Sequence, residues 1–212
     1  MATDNLPTVS EMRFFFDPEV LALTDIDDTN NSSHLAKNHL RSRTIAASAE
    51  DLKVVHNLNR LDHLVMKFGD PEKYDELLWE VQQGIMERLD IWLSLKGIRR
   101  ERRAMVTCAD VYLTFIYGVK HEKPLTLKRA LGQNLVAFMF HYLLRNRTIK
   151  PCECAFYPSA IRLFYMFLQE KGYQIPLARI MVALLDKIEP CFLYLLREMN
   201  YMPELKHFAH EI

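Results

Sequence analysis

The sequence lacks a net charge, a long apolar run, an alternating strand pattern and a cysteine framework, and most of these absences exclude a class of protein. Its 27 Lys and Arg balance 27 Asp and Glu, so the total charge names no partner. No stretch of about 18 residues is free of charged or strongly polar groups, which excludes a membrane-spanning helix. Residues 1–19 hold no basic segment followed by an apolar one, so no secretion signal is read. Period-2 alternation is missing, which excludes a sheet-based fold, and no fixed repeat points to a solenoid. The four cysteines, Cys108, Cys152, Cys154 and Cys191, are unevenly placed in a chain of 212 residues. That is the usage of a reduced, cytoplasmic protein rather than a disulfide scaffold.

What is present reads as helix. The expectation is an all-α, single-domain helical bundle of roughly eight helices, residues 34–212, preceded by a loose acidic arm, 1–33, with one short helix from Asp17-Pro18. Ser48 and Asp51 form a capping box that opens a helix to Phe68, and a further helix is expected from His34 to Ala47. Three central antiparallel helices are placed near 71–96, 98–119 and 126–147, with Gly97 and Pro124 at the boundaries. The first is amphipathic, with Tyr74, Leu78, Val81, Ile85, Leu89 and Trp92 inward. The next two are apolar nearly all round and belong inside, packed on several sides. Pro158 and Pro176 open two later helices, and Pro190 marks a kink or break in the second.

Charge is segregated along the chain. Residues 1–34 carry seven acids and one base, residues 70–95 seven acids and two bases, and residues 96–150 three acids and twelve bases. If the two apolar helices are antiparallel, Lys96, Arg99, Arg100, Arg102 and Arg103 share one end of the molecule with Arg145, Arg147 and Lys150. Arginines in the first turn of a helix oppose its dipole, a placement that hints at use. This basic pole suits an acidic protein segment, phosphate or nucleic acid. His56 and His63 share a helix face with Lys53, Arg60 and Lys67, which reads as solvated surface. Thr107, Asp110 and Thr114 fall on one helix face and Asn134, His141 and Arg145 on another. Facing each other, they would make an internal hydrogen-bonded network rather than an acid–base pair.

Aromatic residues crowd the C-terminal half: Phe156, Tyr157, Phe164, Tyr165, Phe167, Tyr173, Phe192, Tyr194 and Tyr201. They fill a core or line a groove for a partner helix or an apolar ligand. Asp25-Ile26-Asp27-Asp28-Thr29 resembles the nucleophile motif of haloacid-dehalogenase phosphatases. That motif belongs at a strand end in a doubly wound sheet, and this chain reads as helical throughout. A metal-dependent enzyme would have to be built at Cys152-x-Cys154 or at Glu204-x-x-His207. The first is not a zinc spacing and the second is half of a bridged-metal motif, so no metal or cofactor is expected. The reading that results is a non-enzymatic helical binding protein, an adaptor, regulator or complex subunit. It would engage a protein partner through an apolar or aromatic groove and the basic pole. Nucleic-acid binding at that pole is the alternative, and metal-dependent catalysis the third.

Overall fold

The computed structural model describes residues 44–67, 71–99, 101–119, 125–144 and 154–198, all within the compact unit Ser32–Ile212. Among these every regular element is helical. The elements are α1 (Ala49–Lys67), α2 (Pro71–Leu95), α3 (Arg102–Tyr117), α4 (Gly132–Ala137), a π-helical stretch Phe138–Leu143, α5 (Tyr157–Glu170) and α6 (Ala178–Glu198). The acidic arm, residues 1–33, lies outside the described residues.

Local chemistry sets the helix ends. At the start of α1 the capping box is formed in both directions. Ser48 N–H donates to Asp51 Oδ2 at 2.9 Å, and Asp51 N–H donates to Ser48 Oγ at 3.2 Å. Residues 44–48 are not helical, so the helix expected over His34–Ala47 does not reach its end; its earlier part lies outside the described residues. α2 and α5 close in the same way. Gly97 and Gly172 take φ of 86° and 88°, a region open to glycine at no steric cost. Ile98 N–H then reaches back to Leu93 O and Tyr173 N–H to Leu168 O, with the apolar contact of that motif buried at both ends.

Side-chain pairs fix the packing direction. Asp51 meets Arg88 and Asn57 meets Glu80, so α1 and α2 run antiparallel. Tyr74 donates to Tyr117 O and Arg102 pairs with Asp90, so α2 and α3 are antiparallel as well. Tyr117 lies against Leu127, and Tyr112 packs edge-on against Phe138, so the chain then returns along α3. α2 buries the six side chains expected of it except Tyr74, which is half-buried. The most enclosed helix is α5, where every residue from Tyr157 to Tyr165 is buried. It packs on α2, α3 and α6, and full burial of each large side chain contributes about 1.5–3 kcal/mol.

The third central segment departs from expectation. Residues 126–130 form a turn, and the helix begins only at Gly132. One contact holds the turn and another sets where the helix lies. Leu127 N–H is drawn to Tyr117 Oη at 3.2 Å, with Leu127 itself buried. A Cβ on Gly132 would stand 2.8 Å from Leu184 Cδ2, so glycine there permits close approach of α4 to α6. Past Ala137 the helix widens into the π-form, which turns Phe138, Met139 and Phe140 all inward. Pro190 sits inside α6, which continues through it to Glu198.

Candidate functional site

Three buried polar clusters hold the charged chemistry of the described interior. The first lies where residues 45–48 meet α1, α2 and the end of α5. Asp51 accepts from Arg88 Nε at 2.7 Å and pairs with Lys171 Nζ at 3.0 Å. Burial pushes the Asp51 carboxyl up, but Ser48 N–H, Arg88 and Lys171 outweigh it and hold it down at about 2. Lys171 also donates to the carbonyls of Ile45 and Ala46. Beside it Glu170 takes Trp92 Nε1–H at 3.1 Å, Lys96 Nζ at 3.1 Å and the backbone N–H of Ile45. Lys96 and Lys171 each precede one of the two helix-closing glycines. Both lysines are buried.

The second cluster centres on Asp62. Tyr117 Oη–H and Tyr173 Oη–H each donate to its carboxylate at 2.7 Å. Lys128 Nζ stands 3.2 Å from Asp62 Oδ2, 4.7 Å from the Tyr173 ring centre and in hydrogen-bond contact with Asn59. Burial, reinforced by neighbouring Tyr173 and Asp62, drives the Tyr117 phenol well above its usual range, and burial does the same to Tyr173. These phenols therefore stay neutral donors and do not act as bases.

The third cluster was missed in the sequence. Arg162, in the enclosed helix α5, is 3% exposed, and its Nη2 spans Asp186 at 2.7 Å and Glu189 at 2.9 Å on α6. Its Nε and Nη1 have no hydrogen-bond partner among the described residues. The signal was there to see: one charge inside Pro158-Ser-Ala-Ile-Arg-Leu-Phe-Tyr has to be buried, and a buried charge requires partners.

The members of the expected basic pole divide. Lys96 is 8% exposed and belongs to the first cluster. Arg102 pairs with Asp90 at 2.7 Å, both being partly exposed. Arg99 and Arg103 are exposed and have no ion-pair partner among the described residues. Arg100, Arg145, Arg147 and Lys150 lie outside the described residues. The internal polar stripe divides as well. Thr114 Oγ1 accepts from Gln82 on α2 at 2.8 Å, Asn134 Oδ1 caps its own helix at Leu131 N–H, and Thr107 is exposed. Asp110 and His141 are half-buried, and burial raises the Asp110 carboxyl. Among the C-terminal aromatics, Tyr157, Phe164, Tyr165, Phe167, Tyr173 and Phe192 lie in the core, Phe156 is half-buried and Tyr194 is exposed.

Among the described residues no group of three or more His, Cys, Asp or Glu is placed to hold a metal ion. Cys154 is buried, while Cys152, Glu204 and His207 lie outside the described residues. No described helix is long and apolar enough to cross a membrane. Comparison with known proteins finds no matching family model, no matching curated protein and no matching solved structure.

Proposed function

We propose that this chain is a non-enzymatic helical binding protein, an adaptor, regulator or complex subunit. It engages an acidic segment of a partner protein at the start of α3. The observation that carries the reading is the exposure of Arg99 and Arg103, uncompensated among the described residues, while the neighbouring Lys96 and Arg102 are held by carboxylates of the same chain. Arg103 sits in the first turn of α3, where the helix dipole disfavours a cation by a few tenths of a kcal/mol; a partner carboxylate would relieve that. Two arginines also offer planar, forked donors that match carboxylates in pairs. Most of the C-terminal aromatic side chains lie in the core, with Tyr194 exposed, so the reading rests on the charged surface rather than on an aromatic groove.

The test is capture from extract of the source cell with and without nuclease treatment, followed by mass spectrometry, with wild type beside the Arg99→Glu/Arg103→Glu variant. The reading requires a protein enriched by wild type and lost by the variant at unchanged thermal stability. Equal capture by both removes it, and capture that disappears with nuclease transfers the pole to nucleic acid.

A further inference from the structure

The outer surface of α1 and α2 carries two opposed rows of charge. Along α1, Lys53, His56, Arg60 and His63 recur at helical spacing and all four are exposed. Along the neighbouring outer face of α2 stand Glu76, Glu80 and Glu87, also exposed, with Trp79 among them at 67% exposure. Among the described residues none of Lys53, His56, His63, Glu76 and Glu87 has an ion-pair partner, and Glu80 accepts only the Asn57 amide. The register between the helices is set by Asp51 to Arg88, Asn57 to Glu80 and the close approach of Val54 to Gly84. Lys53 is therefore level with residues near 84, and Arg60 with residues near 77.

We propose that this face binds a second copy of the chain. Consider a two-fold axis laid along the groove between the helices, in the plane of contact. Rotation about it keeps height along the helices and exchanges left for right, so α1 of one copy lies over α2 of the other. Every cation in the basic row then meets the acidic row of its mate, Lys53 between Glu80 and Glu87 and Arg60 between Glu76 and Glu80. The contact is made twice, as an isologous interface demands. A face carrying one sign of charge would repel its copy; adjacent rows of opposite sign make it complementary to itself. Trp79 supplies the large apolar side chain that such contacts use as an anchor. Two helices about 20 Å across and about 28 Å long cover on the order of 1,100 Å² counted over both copies, at the lower limit for a specific interface. The dimer is accordingly weak, concentration-dependent and sensitive to salt.

Sedimentation velocity of the full chain over a range of concentrations tests this. Wild type must show a monomer–dimer equilibrium that weakens as salt is raised. Lys53→Glu/Arg60→Glu and, separately, Glu76→Lys/Glu87→Lys must each stay monomeric where wild type dimerises, because both rows then carry one sign. An equimolar mixture of the two variants must associate again, since each row now meets its opposite. That rescue also shows that neither variant lost its self-association by misfolding. Trp92 is buried, so acrylamide quenching reports chiefly on Trp79 and must fall on association. A wild type that is monomeric throughout overturns the proposal. So do variants that dimerise as wild type does, or a mixture that stays monomeric.

Discussion

At the scale of single residues, Asp51 ties three parts of the fold together. It is the N3 partner of a helix cap, the acceptor for Arg88 and the counter-charge of Lys171. Asp51→Asn keeps the shape but removes the counter-charge of buried Lys171 and half-buried Arg88, and should lower stability by about 3 kcal/mol, against about 1 kcal/mol for Ser48→Ala, in urea denaturation. The pH dependence has a definite sign. Its folded carboxyl titrates near 2, against 3.8 for the free group, so the unfolded chain takes up the proton first. The contribution is complete above about pH 5 and is lost as pH falls through 3.8 toward 2, a change of about 2 kcal/mol. Between those limits wild type should lose more stability than Asp51→Asn does. At the second cluster, Tyr173→Phe removes one donor from Asp62, for about 1–2 kcal/mol. Tyr117→Phe also strands the Leu127 N–H and should cost more, by the same measurement.

At the scale of elements, helix starts and stops were legible because their causes are local. Ser48 with Asp51, Gly97 and Pro158 each act within a few residues, and the structure shows each of them at the helix end the sequence implies. The turn at 126–130 was not legible, since it depends on a phenol ten residues back. The inward turn of Lys96 was hidden for the same reason, since its partner Glu170 is distant in sequence; the burial of Arg162 could be read from its apolar neighbours, but its partners Asp186 and Glu189 on another helix could not. Gly172 gives a clean test of the local account. An added Cβ there meets nothing within 4 Å, so any loss in Gly172→Ala comes from its left-handed φ alone. The expected loss is about 1 kcal/mol in urea denaturation, with Gly172→Asn losing less.

At the scale of the whole molecule, segregation of charge along the sequence resolves into an inward and an outward set. The inward cations Arg88, Lys96, Arg162 and Lys171 tie helices together, each through carboxylates of the same chain. Among the outward ones are Arg99 and Arg103 at the start of α3 and the row on α1, all exposed. Sequence alone places all of these as cations but cannot sort them, because sorting needs the third dimension. Lys96 and Arg103 show the contrast within eight residues of chain.

Urea unfolding of Lys96→Met beside Arg99→Glu/Arg103→Glu measures that division directly. The account predicts a loss of about 3 kcal/mol in the first, which leaves Glu170 short of its buried cation, and a change within about 0.5 kcal/mol in the second. Equal losses in the two proteins, or a larger loss on reversing the arginines, would contradict it.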